Sequence, residues 1–197
     1  MFNGIVETTG KIIDISGGDS SKEFTLEPNI KFDDLFIGAS IAINGVCLTV
    51  TRFNSTEFSV TAVPETLKLT NLNYLKINDT ANLERPIKSD SRIGGHYVQG
   101  HVDTTGEILN ITNDGNAKLI KIKLPTEHTK YIVKKGYIAI DGMSITVIDI
   151  NNNNFTVTLI PETLNSTIAK NYKPNKLVNL ETDIFGKYIE KLSGAKA

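Results

Sequence analysis

Apolar and polar residues alternate in short runs along most of this chain, and the runs are rich in β-branched side chains. Ser40-Ile-Ala-Ile43, Leu48-Thr-Val-Thr51, Phe58-Ser-Val-Thr-Ala-Val63 and Phe155-Thr-Val-Thr-Leu-Ile160 each predict a strand. Turn signals stand between such runs: Asn44-Gly45, Asp141-Gly142, Asn113-Asp-Gly115 and the tract Asn151–Asn154. Helical signals are few. Brief helices are expected in Lys31-Phe-Asp-Asp-Leu-Phe36 and after Pro125-Thr126, where Thr126 would cap. Near the C-terminal end Ile184, Phe185, Tyr188, Ile189 and Leu192 form one stripe at helical spacing, which predicts a helix that packs on its own domain or on a partner subunit.

The pattern occurs twice. Slid by 97 residues, Phe58–Leu67 falls on Phe155–Leu164 with seven of the ten positions identical. Average residue usage makes a chance match at one position about one in fifteen, so coincidence is a poor explanation. The same offset places Asn44-Gly-Val-Cys-Leu-Thr-Val50 on Asp141-Gly-Met-Ser-Ile-Thr-Val147, and Asn82-Leu-Glu84 on Asn179-Leu-Glu181. At an offset of 96, Gly4-Ile5-Val6 meets Gly100-His-Val102. A period this long is domain duplication, since solenoid repeats run at about 20–50 residues. The expected organisation is a first domain over 1–96, a second over 97–187, and a helix and tail over 184–197, with a connector in Arg85–Gly95. Several short strands per repeat favour a small antiparallel barrel in an all-β protein.

Charge and composition narrow the function. Lys and Arg number 21 against 22 Asp and Glu, so no basic excess exists to neutralise nucleic acid. The opening MFNGIVETTG has no basic, then apolar, leader, and no run of eighteen apolar residues occurs. The expectation is a soluble, cytoplasmic protein with no membrane partner. One cysteine and three histidines build neither a disulfide framework nor a cysteine-based metal site. His96 and His101, five apart, would face opposite ways on a strand, which disfavours a chelating pair. Neither a GxGxxG nor a GxxxxGK[ST] motif is present to cradle a nucleotide cofactor.

Duplicated modules retain structural residues in both copies, so reactive side chains present in one copy are informative. His101 aligns with Ile5, and only the second copy has an imidazole there. Cys47 aligns with Ser144, and each is followed two residues later by a threonine, Thr49 and Thr146, on the same face of its strand. Each barrel would thus carry a small pair of hydrogen-bonding groups on one wall. The structural alternatives stand beside these readings. A free cysteine is commonly buried and inert, His101 serves equally as a hydrogen-bonded structural residue, and threonine simply favours strands. Pro64-Glu-Thr66 and Pro161-Glu-Thr163 fit strand-to-helix punctuation, and Lys135 before Gly136 fits a solvated lysine.

Taken together, Met1–Glu7, Asn44–Val50, Gly94-Gly-His-Tyr-Val-Gln-Gly-His101, Ile140–Val147 and Leu159–Leu164 resemble riboflavin synthase of the alpha type. Asn3 departs from the threonine usual in that family. The resemblance implies two tandem six-stranded antiparallel Greek-key barrels, a short C-terminal helix, and a homotrimer in which the first barrel of one subunit faces the second of a neighbour. It implies dismutation of two 6,7-dimethyl-8-ribityllumazine molecules without cofactor or metal. By motif, Gly4, Ile5, Val6, Cys47, Leu48, Thr49 and the run Thr61, Ala62, Val63, Pro64, Glu65, Thr66 would line a first substrate site. Gly100, His101, Val102, Lys135, Ser144, Ile145, Thr146 and the run Thr158, Leu159, Ile160, Pro161, Glu162, Thr163 would line a second. His101 is the expected proton carrier, assisted by Ser144 and Thr146, with Ser40, Cys47 and Thr49 opposite and Asp141 as a further candidate. A lumazine- or flavin-binding fluorescent protein that performs no chemistry is the alternative implied by the same duplicated fold.

Overall fold

A computed structural model describes residues 1–18 and 20–194; the end of the expected tail, Ala195–Ala197, lies outside the described residues. Strands β1 (Thr8–Gly18), β2 (Ser21–Pro28), β3 (Ser40–Ile43), β4 (Val46–Phe53), β5 (Phe58–Ala62) and β6 (Thr80–Glu84) close a barrel in the order β1-β2-β5-β4-β3-β6. The second repeat builds β7 (Thr104–Asp114), β8 (Ala117–Lys123), β9 (Tyr137–Ile140), β10 (Met143–Asn151), β11 (Asn154–Leu159) and β12 (Leu177–Thr182), which close with equivalent neighbours. All pairs are antiparallel.

Strand alternation decides what each barrel shows to its surroundings. In β4, Val46, Leu48 and Val50 are buried in the first core while Cys47 and Thr49 point outward. In β10, Met143, Ile145 and Val147 are buried in the second while Ser144 and Thr146 point outward. The hairpins before these residues turn on Asn44-Gly45 and Asp141-Gly142, all four with positive φ, the two-residue turn that matches strand twist. The turns abut. A Cβ on Gly45 would stand 2.5 Å from the Gly142 nitrogen, and one on Gly142 would stand 2.8 Å from the Gly45 nitrogen.

Around this contact a buried polar network relates the barrels by an approximate twofold. Asn82 Nδ2 donates to the Asp141 carbonyl at 2.9 Å, and Asn179 Nδ2 donates to the Asn44 carbonyl at 2.8 Å. The Ile168 amide donates to Asn82 Oδ1, and the Asn71 amide donates to Asn179 Oδ1. The side chains of Asn71, Asn82 and Asn179 are each satisfied across the seam, so the barrels dock by hydrogen bonds as well as by packing.

Three local expectations need correction or refinement. Lys31–Phe36 forms a turn, not a helix: Asp34 is ion-paired to Arg85, whose guanidinium lies 4.7 Å from the Phe32 ring centre, and these contacts hold the segment in its turn. The segment Thr126–Tyr131 is a 3₁₀ helix with Pro125 in the cap position, so Thr126 is its first helical residue and does not cap. Both Pro-Glu-Thr motifs open short helices, α1 (Pro64–Leu69) and α2 (Pro161–Ser166), with proline in the first turn. Helix α3 (Ile184–Ser193) is capped by Asp183, which accepts from the Phe185 amide, and ends at Gly194 with φ 66°. Its stripe packs on its own domain only at its start, where Ile184 is half-buried and Phe185 meets the Tyr97 ring edge-on; Phe185, Tyr188, Ile189 and Leu192 remain exposed, Leu192 to 83%.

Candidate active site

The segments that lead into each barrel cross to the other. Phe2 and Val98 form an antiparallel bridge, with the Phe2 amide on the Val98 carbonyl at 2.7 Å and the reverse bond at 3.1 Å. Beyond it, Gly4 runs over the second barrel, where its carbonyl accepts from the Ser144 amide at 2.7 Å, and Val6 packs on the second core. Gly100 runs over the first barrel, where its carbonyl accepts from the Cys47 amide at 2.9 Å, and Val102 packs on the first core. Both glycines have positive φ, 71° and 79°, and an added Cβ would lie 2.7 Å from Ser144 Cβ or 2.6 Å from Cys47 Cβ. Only glycine permits this approach.

This crossing corrects the expected grouping of residues. Gly4, Ile5 and Val6 belong with Ser144, Ile145, Glu162 and Thr163, around a cavity of about 210 Å³ also lined by Met143, Ser166 and Thr167. Gly100, His101 and Val102 belong with the wall that carries Cys47 and Thr49. Sequence spacing places a strap next to the strands that follow it, whereas the bridge at Phe2 and Val98 redirects each strap to its neighbour. Along the first wall, Ser40 pairs with Thr49 across β3 and β4. Leu48, Ala62, Ile145 and Leu159 are core residues, so only their backbones are available to a ligand.

Two buried carboxylates anchor the straps. Glu181 Oε1 accepts from the Gln99 amide at 2.6 Å and Oε2 from the Gly100 amide at 2.9 Å. Glu84, its repeat counterpart, accepts from the Asn3 amide at 2.7 Å through Oε1, while its Oε2 is buried without a partner. Burial outweighs the opposing pull of the Asn3, Ile5 and Gly4 amides and lifts the Glu84 carboxyl to about 7. Glu181 is raised as well, again chiefly by burial.

One functional group escaped the sequence reading. His96 is buried, stacks on Tyr137 with ring centres 5.4 Å apart, and places Nδ1 2.7 Å from Ser144 Oγ. Burial holds this imidazole below its ordinary range, which favours the neutral ring and a serine hydroxyl that donates to it. His96 and His101 do not lie on a strand. The available signal was Gly94-Gly95: a Cβ on Gly95 would meet the Asn3 carbonyl at 2.2 Å and Ser144 Oγ at 2.8 Å. His101 is exposed on its strap. Lys135 is exposed in a left-handed conformation, φ 68°, one residue from a tight glycine turn.

Asp141 takes no part in either wall. It is fully buried at the seam, where Oδ1 accepts from Asn71 Nδ2 and the Asn179 amide, both at 2.8 Å, and Oδ2 accepts from the Tyr172 hydroxyl at 2.6 Å. Burial raises its carboxyl to about 6 against the opposing pull of these donors. Its physical role is to bind two barrels together, which corrects its candidacy as a catalytic group.

Two barrels, each with an outward wall roofed by a strap from the other, define a protein with paired, near-equivalent ligand sites. The model of the lumazine binding domain family matches twice, over residues 3–86 and 99–183. Riboflavin synthase of Actinobacillus pleuropneumoniae is 44% identical over 191 residues, covering 97% of this chain and 89% of its relative. That of Schizosaccharomyces pombe is 43% identical, covering 98% and 93%. The chain therefore belongs to the riboflavin synthase family of enzymes. Solved structures of LumP with riboflavin and with 6,7-dimethyl-8-(1'-D-ribityl) lumazine share the fold, with TM-scores of 0.84 and 0.82 at 23% and 22% identity, each covering 92% of this chain and 99% of LumP.

Proposed function

We propose that the chain converts two molecules of 6,7-dimethyl-8-ribityllumazine into riboflavin and 5-amino-6-(ribitylamino)uracil by transfer of a four-carbon unit. The observation that carries this reading is the presence of two matching strap-roofed walls in one chain, because a reaction between two identical molecules needs two similar sites. Full-length relatives that bear the enzyme's name support it.

The lumazine ring is itself an electron sink, and its C7 methyl group is acidic enough to give up a proton, so the protein's task is to orient two rings and move protons. Holding the rings face to face makes the encounter effectively unimolecular, a gain of roughly 7–11 kcal/mol in favourable systems. His101, exposed beside the Cys47 wall, is positioned as a proton carrier, and the neutral His96 receives the hydroxyl proton of Ser144. Thr49, Thr146 and Ser40 supply further hydroxyls on the two walls. The exposed residues of α1 and α2, with Lys135, would frame the ribityl chains.

A homotrimer belongs to the same reading. The apolar stripe of α3 is exposed in the single chain, and three such helices would bury it. Sedimentation of the full chain at three times the monomer mass would agree, whereas a monomer at micromolar concentration would end this part of the proposal.

Incubation with 6,7-dimethyl-8-ribityllumazine and no added cofactor tests the reaction. Half an equivalent of riboflavin per lumazine consumed is expected by absorbance. Tight binding without conversion would instead make the chain a lumazine-carrying protein; LumP, which shares the fold, is known in complex with that lumazine.

A further inference from the structure

We infer that Glu181 is the positioning residue that holds the His101 imidazole over the first barrel, an inference that rests on the proton-carrying role proposed for His101. Its repeat partner Glu84 provides the internal comparison. The two glutamates occupy equivalent ladder positions, Glu84 paired with Ala42 and Glu181 with Ala139, and both are almost fully buried. Both hold a strap by its amides. Glu181 spends its two oxygens on the consecutive amides of Gln99 and Gly100, while Glu84 takes the Asn3 amide on Oε1 and is also drawn on by the Ile5 and Gly4 amides. Of the two straps held this way, only the one on Glu181 carries a histidine, at the place where the other has Ile5.

The geometry makes a continuous chain of bonds through one residue. Gly100 donates its amide to Glu181 at 2.9 Å and accepts the Cys47 amide on its carbonyl at 2.9 Å. Gly100 is thereby clamped on both sides: the peptide plane before it is held by a carboxylate of the second barrel, and the plane leading into His101 by a strand of the first. Asp103, two residues beyond His101, accepts from the Thr182 amide at 2.8 Å and from Lys187 at 2.6 Å. His101 thus sits on a short span fixed at both ends to the strand that carries Glu181. Charge-assisted bonds from backbone amides to a buried carboxylate are short and directional, so moving the carboxylate moves the imidazole.

Glu181→Gln retains the shape but replaces one acceptor with a donor, and Glu181→Asp retains the charge while withdrawing the carboxylate by one methylene, more than about 1 Å. A displacement of that size can cost up to about 10²-fold in turnover. The full chain carrying either variant is assayed for lumazine turnover, with folding checked by circular dichroism and riboflavin fluorescence quenching. A fall in kcat of at least about 10-fold is expected, with KM altered by less than about 3-fold. The decisive comparison is the double variant: in a His101→Ala background, either Glu181 change should cost less than about 2-fold more, because the group it positions is gone. A general structural role would instead give the same loss in both backgrounds, and that result would overturn the inference. Wild-type kcat in a folded Glu181 variant would also overturn it, and Glu181→Asp carries the test if the glutamine variant does not fold. Should His101→Ala alone turn over at the wild-type rate, the role of His101 fails; should it be slow while folded Glu181 variants are fast, only the positioning fails.

Discussion

His101 is exposed between neighbours whose backbone is tied down, so its side chain can be removed with little effect on packing. His101→Ala is expected to lower kcat by about 10²–10⁴-fold, the usual contribution of a general acid or base, with an unchanged circular dichroism spectrum; undiminished turnover would remove the residue from the mechanism. Gly4→Ala should behave in the opposite way. It forces a side chain into φ 71° and to within 2.7 Å of Ser144 Cβ, and a loss of roughly 2–4 kcal/mol is expected from strain and overpacking together. A thermal midpoint within a degree of wild type would show that the strap yields freely. At this scale the sequence was informative where a reactive residue broke the internal repeat, as at His101. It was silent where function depends on a contact, as with His96 and Ser144, 48 residues apart and joined by one hydrogen bond.

Among the elements, the two facing turns carry the sharpest expectation for pH. Asp141 ties its turn to the seam through Asn71, Asn179 and Tyr172 and has its carboxyl raised by burial from an ordinary 3.8 to about 6. The folded state therefore binds this proton more tightly than the unfolded chain, so the group's contribution to stability falls as pH rises from about 4 to about 6, by roughly 3 kcal/mol. Asp141→Asn, which matches Asn44 in the other copy, should flatten that part of a urea-denaturation profile. The slope that remains toward pH 7 should have the same sign, since Glu84 is raised to about 7. A profile equally steep in the variant would exclude Asp141 as its origin. The strands and turns were readable because alternation and Asn-Gly or Asp-Gly signals act locally. The crossing of the straps was not, because it is set by the Phe2 and Val98 bridge and by glutamates more than eighty residues from the amides they hold.

For the molecule as a whole, the duplication predicts how its halves behave apart. A fragment of residues 1–96 retains all six strands of the first barrel and should fold, but it lacks Gly100–Val102, the strap that roofs its own wall. Its Gly4 strap has no second barrel to cover. Two copies can satisfy both deficits by crossing their straps, so sedimentation should report a concentration-dependent dimer, and riboflavin binding should rise with dimer fraction. A fragment that remains monomeric and binds riboflavin fully would show that each barrel is roofed without its neighbour.

That crossing also bears on how the chain came to have unlike sites. Separate copies of one module could build both sites by the same exchange, yet every site would then carry an identical strap. Joined in a single reading frame, the modules are free to diverge, with histidine over one wall and isoleucine over the other. Two indistinguishable molecules entering such a protein meet different chemical surroundings, and so can be assigned different fates.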